Sequence, residues 1–294
     1  MAKDTFFSKP RSLRIRGSLF ELNKPQVMGI INLTPDSFYQ ASRRQQATEA
    51  LDAARKMIAD GADMLDLGAY SSRPGAENIS QDEELQRMLP ALELIRTEFP
   101  DVIISIDTFR AEVAYQSVEK YKVDIINDIS AGSLDNELFD VVAQLQVPYI
   151  LMHSQGDPQT MQQNPHYEKI VEDICRFFAD KLITLYDKGI SDIILDPGFG
   201  FGKTIEHNYQ LMSNLDVFRF FELPLLVGIS RKSMIYKMLD ITPIDALPGT
   251  IALNTFALMH GASILRVHDV KETVQTLKVV QAIQQGSLLQ TESL

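Results

Sequence analysis

The chain has 294 residues, 45% hydrophobic and 23% charged, a globular composition with enough apolar material for a large core rather than a disordered tract. Its formal net charge of −11 argues against a nucleic-acid partner, since such proteins carry basic surfaces, although a few convergent bases can still hold an anion in one cleft. The single cysteine, Cys175, allows no disulfide within the chain, and no apolar run reaches the length of a membrane span.

The opening residues, MAKDTFFSKPRSLRIRG, contain no apolar stretch of the secretory kind, so a cytoplasmic protein is expected. Residues 11–25 include RSLRIRGSLFELNK, predicted as a hairpin turning at Gly17 that caps the bottom of the fold. Apolar runs of strand length then alternate with stretches of helical period. VMGII (27–31) precedes RRQQATEALDAARKMIADG, and ADMLDLG (62–68) precedes SQDEELQRMLPALELIRTEF. VIISID (102–107) leads into FRAEVAYQSVEKY, and VDIIND (123–128) into LDNELFDVVAQLQ. VPYILMH (147–153) leads into the helical run EKIVEDICRFFADKL, where Cys175 reads as a buried core residue. SDIILD (191–196) precedes IEHNYQLMSNLDVF, LPLLVGIS (223–230) precedes the short RKSMIYKML, and ASILRVH (262–268) precedes DVKETVQTLKVVQAIQQ.

These eight units, with strands apolar on both faces, predict a (β/α)8 TIM barrel as a single domain over residues 1–294. An open, doubly wound sheet is the alternative, disfavoured by the even repeat without a domain break. Residues 239–247 read as an insertion before the eighth helix, and residues 285–294 as a frayed tail.

A barrel of this kind works at the C-terminal ends of its strands, so each run can be read for what it delivers there. Asp107, Asn127 and Asp196 each end an apolar run. Carboxylates accept hydrogen bonds and an amide both accepts and donates, so the three suit the amino-amidine edge of a planar heterocycle such as a pterin or guanine. Helix capping by one or two of them, or a divalent-metal cage, are the alternatives. Arg266 and His268 end the last strand, where this fold often holds phosphate. Lys232 and Ser233 follow the seventh strand; a lysine there can reach ring acceptors and Ser233 lies at a helix start. Asp36 and Arg73 are the charged members of two lid-like loops, LTPDSF and YSSRPG. His153, His166, His207 and His260 lack metal-ligand spacing.

The stretch DPGFGFGKT (196–204) nearly matches a nucleotide-binding P-loop, but the glycine required five positions before Gly202 is Pro197, which has no N–H to offer a phosphate. The glycines let the backbone lie close to a ligand, and Phe201 offers an apolar wall to an aromatic one.

With these residues in place, MGIINLTPDSF, DLGAYSSRPGAE, ISIDTFR, INDISAG, ILMHSQGDPQTMQ, ILDPGFGFGKT, GISRKS and ILRVHDV together resemble the dihydropteroate synthase family, in family order from about Val27 to the last helix. The resemblance implies condensation of 6-hydroxymethyl-7,8-dihydropterin diphosphate with 4-aminobenzoate, giving 7,8-dihydropteroate and pyrophosphate, in an enzyme commonly homodimeric and a target of sulfonamides. It implies that Asp107, Asn127, Asp196 and Lys232 hold the pterin, with Met152 and Val267 also against substrate. It assigns the diphosphate to Asn32, Arg266 and His268, Asn32 together with Mg2+, and the aminobenzoate pocket to Ser72, Arg73, Pro74, Phe201 and Ser233. Asp36 and Arg73 join Asp107, Asn127, Asp196 and Lys232 as catalytic candidates.

One departure stands out. The family often reads GGESTRPG where this chain has Gly68-Ala69-Tyr70-Ser71-Ser72-Arg73-Pro74-Gly75, so Tyr70 takes the place of a glutamate. Two other readings share the pterin-facing set: a methyltetrahydrofolate-dependent methyltransferase, which has no need of Asn32, Arg266 and His268, and a non-catalytic pterin-binding paralogue, favoured only by Tyr70.

Overall fold

Along a strand, residues two apart face the same way, and this period of two governs the architecture. The computed structural model describes residues 11–33, 43–71, 78–156 and 165–286. It opens with an antiparallel hairpin of β1 (Ser12–Ile15) and β2 (Ser18–Glu21). The turn residues Arg16 and Gly17 have φ of 50° and 76°, the doubly positive pair of a type I′ hairpin turn. Arg16 holds that conformation with its guanidinium tied to Asp124, Nε to Oδ1 at 2.6 Å.

Eight parallel strands follow: β3 (Gln26–Asn32), β4 (Met64–Gly68), β5 (Ile103–Asp107), β6 (Ile125–Asp128), β7 (Tyr149–Met152), β8 (Ile193–Asp196), β9 (Leu226–Val227) and β10 (Ile264–Val267). Their order, β8-β7-β6-β5-β4-β3-β10-β9, is that of a barrel opened along one seam. A parallel bridge between Leu195 and Leu225 nearly closes that seam. The expected (β/α)8 barrel with its N-terminal hairpin is therefore present.

Helices wrap the outside: α1 (Arg43–Ala59), α2 (Gln81–Glu98), α3 (Ala111–Tyr121), α4 (Leu138–Leu145), α5 (Ile170–Asp187), α6 (Ile205–Ser213), α7 (Ser233–Tyr236), α8 (Leu247–Met259) and α9 (Val270–Gln285). The helix expected to continue past Ser213 instead breaks at Asn214, whose side-chain amide donates to the Gln210 carbonyl at 2.8 Å, and resumes as a 3-10 turn over Leu215–Phe221. Cys175 in α5 is half-buried rather than fully buried, and packs against the core.

The core has two layers set by strand parity. Val27, Leu65, Leu67, Ile104, Ile106, Leu195 and Val267 belong to the layer between sheet and helices. Met28, Met64, Ile125, Ile150, Ile194, Leu226 and Ile264 fill the barrel itself, and Leu13 and Ile15 of the hairpin pack into the same cluster. The hairpin thus plugs the barrel floor, at about 1.5–3 kcal/mol for each large apolar side chain buried. Two residues further along the same strands, the interior positions become Ile30, Asp66, Ser105, Asn127, Met152, Asp196, Gly228 and Arg266. One step of the strand period carries the interior from a dry plug to a polar floor.

Candidate active site

The polar floor is organised around Arg266. Its Nε donates to Asp66 Oδ2 at 2.6 Å and its Nη2 to Asp107 Oδ2 at 3.0 Å. Asn127, adjacent to Asp107 in the β5–β6 pairing, donates Nδ2 to the same Asp66 oxygen at 3.2 Å. Asp66 is wholly buried, and among the described residues its other oxygen has no partner. Burial pushes the Asp107 carboxyl up to about 7; Arg266 pulls it down, and the neighbouring Asp66 pushes it up. Burial opposes the Arg266 cation too, but Asp66 and Asp107 more than offset it.

Asp196 ends β8, only 6% exposed, and its Oδ1 accepts the Gly198 N–H at 2.8 Å. Burial raises its pKa, resisted chiefly by the nearby Lys232 charge. The loop it opens is shaped by its glycines. A Cβ on Gly198, at φ 70°, would lie 1.9 Å from the His153 carbonyl oxygen, so no other residue fits. Lys203 is 3% exposed and turned into its own loop, donating to the carbonyls of Gly198 at 2.8 Å and Phe201 at 3.0 Å. It also meets His153 Nδ1 at 3.0 Å, and burial with the lysine charge holds that imidazole down to about 2, hence neutral. The lysine that made this loop look like a P-loop is a strut and presents no charge to an anion.

Lys232 crosses to the same loop, donating to the Phe199 carbonyl and lying 4.6 Å from the Phe201 ring centroid. Burial lowers it to about 8, with Asp196 raising it in return. Met152, 3% exposed, completes the floor between Asn127 and Asp196. Ser233, part-buried, begins α7, which is a single turn long.

On the far side, His268 is exposed and its backbone N–H donates to Ser230 Oγ at 3.2 Å, while its Nδ1 lies 3.1 Å from the same hydroxyl. A bidentate pair from Arg231 to Asp269, at 2.6 and 2.9 Å, ties the β9 loop to the start of α9 beside it. Val267 has the opposite parity: its side chain is buried between sheet and helices, so only its backbone borders the mouth. Asn32 ends β3, exposed, and its amide makes no hydrogen bond among the described residues.

Asp36, Ser72, Arg73 and Pro74 lie outside the described residues. The flanks of 72–77 are visible. Tyr70 meets Phe109 edge-on at 5.0 Å between centroids, and Arg110 sits 4.9 Å over Phe109 while donating to the Ile79 carbonyl at 2.5 Å. Tyr70 is therefore built into an aromatic–guanidinium cluster at the base of that loop.

Neither aspartate is a helix cap: α3 begins after Arg110 and α6 after Thr204. Among the described residues no three His, Cys, Asp or Glu side chains converge as a metal cage. Two residues that the sequence analysis gave no role, Asp66 and Ser230, hold the arginine and the histidine. Asp66 sits at an interior position of β4 and Ser230 in the turn that follows β9.

Residues 28–268 match the family described as pterin binding enzyme. The chain is 44% identical over 269 residues to dihydropteroate synthase of Escherichia coli (strain K12), an alignment covering 91% of this chain and 94% of that protein. It is 42% identical over 278 residues to dihydropteroate synthase of Synechocystis sp., covering 93% and 96%. The solved structure of Yersinia pestis dihydropteroate synthase in a sulfonamide complex is similar with a TM-score of 0.87 at 41% identity, over 94% of this chain and 100% of that one. That of the Xanthomonas albilineans enzyme with 4-aminobenzoic acid has a TM-score of 0.86 at 36% identity, over 94% and 98%.

Proposed function

The chain belongs to the dihydropteroate synthase family of pterin-binding enzymes, transferases that condense 6-hydroxymethyl-7,8-dihydropterin diphosphate with 4-aminobenzoate in folate biosynthesis, and from that premise we propose how its own residues divide the reaction. The observation that carries the assignment is the convergence, on one polar floor, of Asp107, Asn127, Asp196, Arg266 and Lys232.

The pterin lies over that floor. Asp196 and Asn127 receive its amino-amidine edge, Lys232 donates to its ring acceptors, and Asp107 faces the opposite side of the ring, with Met152 beneath. The diphosphate points toward Arg266, His268 and the backbone at Val267. Heterolysis of the C–O bond sends the electron pair to pyrophosphate and leaves a pterin-methyl cation. Asp196 and Asp107, fixed and desolvated, stabilise that positive charge as it develops. The aromatic amine, set against Phe201 with its carboxylate toward Ser233, then attacks the methylene carbon and sheds a proton. Ser72, Arg73 and Asp36 complete the set assigned to the two substrates in this reading, and no protein nucleophile takes part.

Magnesium fits the donor set. The exposed Asn32 amide oxygen, with no hydrogen bond among the described residues, would supply a hard oxygen ligand of the kind Mg2+ takes alongside substrate phosphate oxygens. When bound it would neutralise charge on the leaving diphosphate.

We further propose a cytoplasmic homodimer. Supporting this are the single half-buried cysteine, the absence among described residues of any helix long and apolar enough to cross a membrane, and the exposed Met238, Leu239 and Ile244 between α7 and α8. The test of the whole reading is incubation of the pure protein with dihydropterin diphosphate, 4-aminobenzoate and Mg2+. Dihydropteroate and pyrophosphate must appear in equal amounts, and the absence of both sinks it.

A further inference from the structure

We infer that Asp66 is a positioning residue for the reaction: from beneath the floor it orients both Arg266 and Asn127, and by competing for Arg266 it keeps Asp107 available to the pterin. The inference rests on the reading that the pterin lies over Asp107, Asn127 and Asp196.

Two independent contacts carry it. A carboxylate can only accept, so the bond between Asn127 and Asp66, at 3.2 Å, must use the Asn127 NH2 group. That settles which way the amide faces: Nδ2 is turned down to Asp66, and Oδ1 is left as the acceptor for a ligand's amino group. The second contact is the 2.6 Å bond from Arg266 Nε to Asp66 Oδ2, shorter than the 3.0 Å bond from Nη2 to Asp107. The guanidinium is shared, and Asp66 takes the tighter end. Among the described residues Nη1 makes no hydrogen bond and remains for an anion.

The position explains why an aspartate is there. Asp66 stands between Leu65 and Leu67, which face the helices, and directly above Met64 of the barrel plug. A leucine at 66 would extend the plug by one layer. Arg266 would then have Asp107 as its only carboxylate partner and would close onto it, neutralising the group that faces the substrate. A fully buried aspartate with one oxygen unpartnered is costly to keep in a barrel, and nothing in the plug needs it. Its only hydrogen-bond partners among the described residues are the two side chains it aims.

The experiment uses Asp66→Asn in the full chain, with Asp196→Asn alongside. Binding of 6-hydroxymethyl-7,8-dihydropterin, the unreactive alcohol, is measured by calorimetry, and KM is measured for each substrate. Asp66→Asn should weaken the alcohol by about ten- to hundredfold, raise KM for the diphosphate, and leave KM for 4-aminobenzoate and the melting temperature unchanged. In a background that lacks both partners, Asn127→Ala with Arg266→Lys, the same substitution should add less than about threefold, because the groups it positions are already lost. The acid limb of kcat/KM should move to lower pH. The charges facing Asp107 are Arg266 from β10, Asp66 from β4, Glu84 from α2 and Asp128 from β6, and one negative charge is gone.

Wild-type affinity for the alcohol in Asp66→Asn, or equal loss of both substrates together with stability, overturns the inference. If Asp196→Asn also binds the alcohol normally, the site reading itself has failed; if only Asp66→Asn does, this inference alone has. Should Asp66→Asn not fold, Arg266→Lys must show the same split between the two KM values, and its absence overturns the inference equally.

Discussion

At the level of Met28, Met64, Ile125, Ile150, Ile194, Leu226 and Ile264 the inside of the barrel is a dry plug, sealed from below by Leu13 and Ile15. Two residues further along, the same strands hold Asp66, Asn127, Asp196 and Arg266. Backbone, direction and pairing register are shared between the two levels; only the side chains differ. The plug gains from having no polar atom. The floor above it carries Asp66, Asp196 and Arg266, with Asp107 and Lys232 beside them, and the desolvation of these charges is offset by one another and by a bound substrate. Stability and chemistry are thus stacked about 7 Å apart along each strand, and substitution at the two levels should separate them.

The largest effect should come from the upper level. Asp196→Asn removes a fixed charge aimed at the developing cation, so kcat/KM for dihydropterin diphosphate should fall about 10²–10³-fold. Melting temperature should hold or rise, since a buried carboxylate is no longer desolvated. Turnover within threefold of wild type would show that the carboxylate does not face the reacting ring.

Next in size is the converse at the lower level. Leu13→Ala unseals the plug, with an expected loss of about 2–4 kcal/mol in denaturant unfolding. Both KM values should stay at wild type at temperatures where the protein is folded. A change in KM with little loss of stability would mean that the hairpin communicates with the mouth and that the levels are not separable.

A smaller effect reads the upper level by titration. The floor works with Asp107 ionised and Lys232 protonated, and burial brings these to about 7 and about 8. Below the first value the carboxylate is neutralised, and above the second the ammonium is lost. The profile of kcat/KM should therefore be a narrow bell, falling about tenfold per pH unit on either side. Lys232→Arg should carry the alkaline limb upward, whatever it does to the maximum. A flat profile between pH 6 and 9 would place the titrating groups outside the floor.

The lower level is more legible in the sequence than the upper. Runs such as VIISID and SDIILD end in a polar residue, so both the strand and its catalytic-end aspartate can be seen together. Asp66 cannot be read the same way. In ADMLDLG it falls inside the run, and because both faces of a barrel strand are buried, alternation does not mark which positions point inward. Val267 illustrates the same ambiguity: adjacent in sequence to Arg266 and His268, it has the other parity and packs under the helices. Lys203 is beyond sequence reasoning for a different cause, since its partners are carbonyls that converge only once Gly198 and its neighbours have bent the loop.

The smallest effect tests the rim of the upper level, where one neutral hydrogen bond is at stake. Ser230 Oγ accepts the backbone N–H of His268 and sits 3.1 Å from its Nδ1. A hydroxyl that accepts from the backbone has its own proton to give to Nδ1, which keeps the proton of a neutral imidazole on Nε2. Ser230→Ala removes that preference, and the loss should be about 1 kcal/mol, or roughly fivefold. It should appear in KM for the diphosphate and in inhibition by pyrophosphate. The affinity for 6-hydroxymethyl-7,8-dihydropterin, which has no diphosphate, should not change. Equal weakening of the alcohol would mean that Ser230 supports the floor as a whole, and that the division between ring-holding and anion-holding residues does not run where Arg266 and His268 place it.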